Sequence, residues 1–440
     1  MKSSNPLSFS VTPGGALRGR LQVPGDKSIS HRAIILGALA TGESEIIGFL
    51  EGEDTLATVA AFRAMGVSIE TEGVGRVRVR GVGLHGLSAP AGPLYLGNSG
   101  TSMRLLAGVL AGQSFSTELI GDGSLSKRPM GRIAGPLNAM GAEITTTDAG
   151  TSPLRIRGGR ALSCIDYQMP VASAQVKSAL LLAALFAQGR TCVQEPAPTR
   201  DHTERMLRGF GYRLRRIPGK VCITGGGTLR GGQVVAPGDI SSAAFFLVGA
   251  AIAEGSDLVL ENVGINPTRI GIIRILGMMG ADIVLFHERM AGGEPVADIR
   301  IRSHPLTGLR IPEHMTPLAI DEFPAIFVAA AFAKGQTTVT GAEELRAKES
   351  DRIAVMAEGL RELGIDAEPT PDGMIIQGGR PTGGRVASHG DHRVAMAFAM
   401  AGLGAQGKIV IEDCANVNTS FPGFTDAASR VGLRIAHFQE

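Results

Sequence analysis

Six apolar runs punctuate the chain at near-regular intervals: Ala33 to Ala40, Leu105 to Ala111, Ala179 to Ala187, Ala243 to Ala253, Ala325 to Ala333 and Val394 to Ala401. Each is apolar all round, so each predicts a helix buried on every side rather than an amphipathic surface helix. Ahead of each stands a residue suited to accept a hydrogen bond from first-turn amides: Asp26, Asn98, Ser173, Asp239, Asp321 and Asp391. Behind each stands a terminating glycine: Gly42, Gly112, Gly189, Gly255, Gly335 and Gly407. Successive caps are 72, 75, 66, 82 and 70 residues apart, and each cap-to-glycine distance is 14 or 16. A short strand is predicted after every glycine, as in "SEIIG", "DLVL" and "KIVI".

The chain therefore reads as six copies of one unit with a period near seventy, too long for a standard solenoid repeat. Each copy has room for two helices and several strands. Six buried helices in two groups of three predict a pair of pseudo-threefold domains. Burying a helix start leaves its first amides in need of partners and concentrates positive potential there. Lys27, Ser28, His31 and Arg32 follow the first cap; Ser99, Gly100, Thr101 and Arg104 the second; Gln175 and Lys177 the third. Ser241 and Ser242 follow the fourth and His392 and Arg393 the sixth, while the fifth is acidic, with Asp321 and Glu322. One such cap alone reads as an ordinary solvated helix end. Their recurrence reads as an anion site, and if the helices converge, as a site for a ligand with more than one anionic group.

Composition narrows the picture. Hydrophobic residues make up 44% of the 440, enough for large cores, so the 61 glycines read as turns rather than disorder. A net charge of +2 and 4% aromatics argue against a nucleic-acid partner, which needs a basic face and stacking rings. The most basic stretch, "RLRRIPGK" (Arg213 to Lys220), reads as a solvated strand and turn. Cys164, Cys192, Cys222 and Cys414 form no C-x-x-C pair, so reduced buried thiols are expected and neither zinc nor a disulfide framework. No apolar run reaches the length of a membrane span, and the N-terminal segment shows no signal-peptide core, so a cytoplasmic location is expected. "GVGLHG" (Gly81 to Gly86) matches a dinucleotide fingerprint, but Pro90 and Pro93 follow where a helix is required, so it reads as a loop. His202 stands apart from other metal-type ligands and reads as part of a polar network; no metal and no cofactor is expected.

Seven stretches, in this order, resemble the 5-enolpyruvylshikimate-3-phosphate synthases of the enolpyruvyl transferase family: "GDKSISHRAIILGALATGES", "LGNSGTSMRLLAG", "GDGSLSKRPM", "PVASAQVKSALLLAAL", "AIDEFPAI", "LRAKESDR" and "GDHRVAMAF". The resemblance runs the length of the chain. It implies an α/β fold of two inverted α/β barrel-like domains, each of three βαβαββ units, with the active site in the interdomain cleft. One domain would span 21–236, on the shikimate 3-phosphate side, and the other 1–20 plus 237–440. The family's reaction adds phosphoenolpyruvate to the 5-hydroxyl of shikimate 3-phosphate and then expels phosphate, a step of aromatic amino-acid biosynthesis. It needs several cations for two phosphates and two carboxylates, a base for the hydroxyl proton and an acid for the methylene carbon.

Carried over by motif, Lys27, Ser28 and Arg32 would lie at the shikimate ring, with Ser173, Ala174, Arg200 and Lys348 on its phosphate and Gln175 between ring and enolpyruvyl group. Lys27, Asn98, Gly100, Arg128, Gln175, Arg352 and Arg393 would hold phosphoenolpyruvate. Asp321 would accept the hydroxyl proton and also touch shikimate 3-phosphate; Glu349 would protonate the methylene carbon, with Lys27 a second proton-transfer group. The resemblance also implies a monomer whose partners are these two small molecules. Thr419 stands where many members carry a lysine beside phosphoenolpyruvate, Ala174 where many carry a serine, and Leu105 replaces a common proline. A sister enzyme acting on UDP-N-acetylglucosamine shares fold and donor but uses a loop cysteine, and none of the four cysteines lies in "GDGSLSKRPM". A non-catalytic anion-binding protein on the same scaffold would be expected to lose Asp321 and Glu349, and both are present.

Overall fold

The computed structural model describes residues 7–439. Residues 1–6, which open the segment read above for a signal peptide, and Glu440 lie outside the described residues. The six-fold repeat is visible directly. In the second copy, strand Leu94–Tyr95 leads into helix Gly100–Leu110, strand Thr117–Ile120, helix Gly131–Ala139 and strands Glu143–Thr145 and Leu154–Arg157. The first two strands pair parallel across the helix, and the remaining two add antiparallel. The third copy repeats this order from Asp166–Gln168 to Lys220–Thr224 around helix Ala174–Ala184.

Three copies complete themselves with strands distant in sequence. The first, built on helix Lys27–Leu39, takes its parallel strand from Gln233–Val235. The fourth, on helix Ile240–Ile252, takes Arg18–Leu21, and the sixth, on helix His392–Ala401, takes Leu7–Val11 as its last strand. The fifth, on helix Phe323–Phe332, has three strands, with Arg310 bridging Thr338 in place of the first. The six sheets of described residues are open and none closes on itself, so the barrel implied by the resemblance is not a closed barrel of strands.

The chain divides into two compact units. One comprises Gly25–Ala236 with Ala291–Glu294; the other comprises the N-terminal residues to Pro24, Pro237–Met290 and Pro295 onward. Each has its own apolar core. In the second, the three repeat helices pack against one another pairwise. Phe323 and Phe327 of its fifth helix are fully buried, each stabilising by about 1.5–3 kcal/mol relative to exposure. In the first, helix Gly100–Leu110 packs closely on helix Ala174–Ala184, because a Cβ at Gly108 would stand 2.2 Å from the Ala179 carbonyl oxygen. Gly42, Gly189, Gly255 and Gly335 turn the chain from helix to strand with φ between 79° and 92°.

The cap positions differ from expectation at two of the six helices. Asp26, Ser173, Asp239 and Asp391 accept first-turn amides as expected. The second helix is capped by Ser99 rather than Asn98, and the fifth begins after Glu322 with no side-chain cap. Asn98 and Asp321 are held elsewhere by cations, as described below. "GVGLHG" opens on the last two residues of strand Arg76–Val82 and continues as a turn without a helix, and "RLRRIPGK" forms a hairpin between Leu214–Ile217 and Lys220–Thr224. His202 and Glu294, both buried, bond through Nδ1 and Oε1 at 2.8 Å. No helix of the described residues is long and apolar enough to cross a membrane.

The expectation of four reduced thiols is corrected. Cys192 and Cys222 face each other across antiparallel strands Arg190–Gln194 and Lys220–Thr224 and form a disulfide. No short motif announces it, because a separation of 30 residues is closed only by strand pairing. Cys164 is exposed, and Cys414 is buried, with its thiol pushed up to about 12 by that burial. A thiol reagent applied to unreduced, denatured protein is expected to count two thiols per chain; four would remove the disulfide.

Candidate active site

The helix starts of the first unit gather polar side chains that the sequence scatters over 170 residues. Asp26 Oδ1 accepts from the Ile29 amide at 2.8 Å, and Lys27 forms an ion pair with buried Asp54. The Arg32 guanidinium is buried. It donates to Thr203 Oγ1 at 2.7 Å, Ser178 Oγ at 2.8 Å and the Ser28 carbonyl at 3.0 Å, tying the first helix to the third. His31, named with Lys27 and Arg32 at the first helix start, adds no charge to an anion site. Full burial, then Lys27 and Arg32, push its pKa well below the usual value, so it stays neutral, 2.8 Å from Thr58 Oγ1.

At the second helix, Asn98 precedes the cap residue Ser99. Its Nδ2 donates to Asp122 at 2.8 Å, and its side-chain oxygen and carbonyl accept from Arg128. Arg104 Nη1 donates to Gln175 Oε1 at 2.7 Å, and Gln175 Nε2 donates to Thr101 Oγ1 at 3.1 Å, which ties second helix to third. Gly100 lies under both arginines: a Cβ there would stand 2.9 Å from Arg104 Nη1 and 3.2 Å from Arg128 Nη1. Arg104, named with the second helix start, was assigned to neither substrate by motif. The signal was its position four residues after Gly100, which puts both on one helix face.

Ser173 caps the third helix through its hydroxyl and Ala174 is the first helical residue. Lys177 leaves the anion set. Its ammonium is buried between Glu195 at 3.0 Å and Glu204 at 2.8 Å, and two carboxylates already answer its charge. Arg200 is half-buried in the loop before helix His202–Gly209, next to buried Asp201, which pairs with Arg205 and Arg216.

The second unit gathers the acidic candidates. Asp321 lies 3.4 Å from Lys348, 3.5 Å from Arg352 and 3.9 Å from Arg393, and its carbonyl accepts from Arg393 Nη1 at 3.2 Å. This is why Asp321 caps no helix: its carboxylate is turned to three cations. Glu349 pairs with Arg352 at 2.6 Å. Arg352 in turn donates from Nε to Asp391 Oδ2 at 2.8 Å, with both groups almost wholly buried. Burial opposes the charge on each, but the pair's mutual attraction outweighs it: Arg352 is held well above the usual guanidinium range and Asp391 below the usual carboxylate range. Arg393 lies one residue into the sixth helix, its amide capped by Asp391 at 2.9 Å. Thr419, at the position where a lysine is common, is buried and its hydroxyl donates to the Asn416 carbonyl at 2.7 Å. The structure thus brings Asp321, Lys348, Glu349, Arg352 and Arg393 into one cluster, and Asn98, Gly100, Arg128 and Gln175 into another with Arg104. Among the described residues, no group of three or more His, Cys, Asp or Glu could hold a metal ion.

The family model for EPSP synthase (3-phosphoshikimate 1-carboxyvinyltransferase) matches residues 11–427. The chain belongs to the EPSP synthase family. It is 68% identical to the 3-phosphoshikimate 1-carboxyvinyltransferase of Alkalilimnicola ehrlichii, covering 98% of this chain and 96% of that one. It is 66% identical to the enzyme of that name from Nitrosococcus oceani, covering 99% and 98%. A solved EPSP synthase structure from Acinetobacter baumannii superposes with a TM-score of 0.89 at 58% identity, covering 98% of this chain and 100% of that one. The mixed α/β fold is therefore that of EPSP synthase, and each residue assigned through the seven stretches lies within the matched span.

Proposed function

We propose that this chain transfers the enolpyruvyl group of phosphoenolpyruvate to the 5-hydroxyl of shikimate 3-phosphate and releases phosphate. The observation that carries the reading is the pairing of Asp321 and Glu349 through one buried guanidinium, Arg352. Two carboxyl groups held at one cationic group, Asp321 entering the step ionised and Glu349 entering it protonated, supply a proton acceptor and a proton donor for one addition. Asp321 takes the 5-hydroxyl proton as that oxygen bonds to C2 of phosphoenolpyruvate, and Glu349 delivers a proton to C3. The tetrahedral intermediate then returns a proton from the new methyl group to the Glu349 carboxylate, the bond from C2 to the phosphate oxygen breaks, and phosphate leaves. Lys27 is the second proton-transfer candidate. Arg128, Arg352 and Arg393 oppose the charge on the departing phosphate.

The reading assigns Lys27, Ser28, Arg32, Ser173, Ala174, Gln175, Arg200, Asp321 and Lys348 to shikimate 3-phosphate. It assigns Lys27, Asn98, Gly100, Arg128, Gln175, Arg352 and Arg393 to phosphoenolpyruvate, and takes 21–236 and 1–20 plus 237–440 as two barrel-like domains acting on one substrate pair. A monomeric, cytoplasmic enzyme goes with it.

The test is phosphate release from phosphoenolpyruvate with shikimate 3-phosphate in one reaction and UDP-N-acetylglucosamine in another. Release in the first alone is expected. Release in the second alone would give the sister activity, and silence in both would leave an anion-binding protein. Gly100→Ala is expected to raise KM for phosphoenolpyruvate about tenfold, with KM for shikimate 3-phosphate little changed. The added methyl crowds Arg104 and Arg128, and overpacking costs about 1–3 kcal/mol, roughly a factor of ten in affinity. An unchanged KM would remove Gly100 from the donor subsite.

A further inference from the structure

Two consecutive acids, Asp321 and Glu322, part in different directions. Asp321 faces Lys348, Arg352 and Arg393. Glu322 is 1% exposed, bonds to the Ser241 hydroxyl and lies 3.8 Å from Arg269. Arg269, itself 3% exposed, donates from Nη2 to Ser241 Oγ at 2.7 Å and to Asp239 Oδ1 at 3.0 Å. Asp239 is the cap of the fourth repeat helix. One buried guanidinium therefore joins the cap of the fourth helix to the first residues of the fifth.

The fifth helix needs such a tie. Of the six repeat helices, it is the one whose N-cap side chain makes no capping bond, and proline occupies its first turn. Placing two carboxylates and a guanidinium out of water costs several kcal/mol per ion before their attraction offsets it, and apolar groups of like volume often do as well for stability. A network kept on those terms is suited to holding geometry. What it holds here is the backbone one residue from Asp321, while Arg393 holds the Asp321 carbonyl at 3.2 Å.

We propose that Glu322, with Arg269 and Ser241, is a positioning device that fixes the Asp321 carboxylate for proton transfer. The inference rests on the reading of Asp321 as the proton acceptor. Glu322 touches no substrate; it acts through its neighbour. Glu322→Gln keeps the side-chain shape and a partner for Ser241 but removes the charge facing Arg269.

The experiment is a double-mutant cycle on the full chain with Asp321→Asn, reading kcat and both KM values. Glu322→Gln is expected to lower kcat about tenfold or more, since displacements near 1 Å cost up to about 10²-fold. Both KM values should stay within about threefold, because the device orients a reacting group rather than binding substrate. In the Asp321→Asn background the same change should lower kcat by no more than about twofold, since groups acting as a unit are non-additive. Glu322→Gln with parental kcat, or a loss that multiplies fully with that of Asp321→Asn, overturns the positioning role alone. Asp321→Asn with parental kcat overturns the proton-acceptor reading and the positioning role with it. If Glu322→Gln does not fold, Ser241→Ala enters the cycle with the same criterion, because it removes the hydroxyl that bonds both Glu322 and Arg269 without deleting a charge.

Discussion

Asp321→Asn is expected to lower kcat by about 10²–10⁴, the range that a positioned proton acceptor contributes, with a far smaller change in either KM. The substitution is close to isosteric. The backbone carbonyl that accepts from Arg393 is untouched, and an amide oxygen can still face Lys348 and Arg352. What disappears is the capacity to take the 5-hydroxyl proton as the new carbon–oxygen bond forms. A role in binding alone would give the opposite signature, a raised KM with kcat preserved. Turnover within about threefold of the parent would remove Asp321 as the proton acceptor. Glu349→Gln checks the other half of the assignment in the same assay: full turnover there would remove Glu349 as the donor to the methylene carbon.

Arg352→Met is expected to carry the largest stability cost, about 3–5 kcal/mol, because breaking a buried pair strands the remaining charge. Asp391 is 0% exposed and takes its main ionic contact from Arg352 at 2.8 Å. Removing the guanidinium leaves that carboxylate with the Arg393 amide and the Ser350 hydroxyl as hydrogen-bond partners. The pH dependence follows in sign. Asp391 has a folded pKa below its unfolded value, so its contribution is present above the unfolded value of about 3.9 and is lost as pH falls through the folded one. Without Arg352, burial dominates and disfavours the charged form. The gap between parent and variant should therefore be widest at neutral pH and narrow toward pH 4. Denaturant unfolding across that range reads it, and a gap that is absent or widens on acidification would overturn the pairing. Activity should be lost as well, since Arg352 also holds Glu349 at 2.6 Å.

Much of this was legible in the chain. The cap, apolar run, glycine and strand of each repeat lie within about twenty residues, and local signals of that kind survive folding because they act within a turn or two. Asp26, Ser173, Asp239 and Asp391 cap the helices they were expected to cap. The seven stretches, read in order, also carried the family and, Arg200 apart, the residues proposed for the site.

Tertiary structure decided whatever depends on partners far away in sequence. Asp321 abandons its cap for three cations, and Asn98 yields its cap to Ser99 while Arg128 holds it. His31 becomes neutral and Lys177 is answered by Glu195 and Glu204, because burial and neighbours, not residue type, set the state of an ionisable group. Cys192 meets Cys222 only once their strands are in register, and Leu7–Val11 completes the sixth copy from the far end of the chain. Sequence by itself determined where helices start and which groups are available. The packing of elements well separated along the chain determined which charge faces which, since electrostatic attraction depends on separation in space and on the loss of water around it.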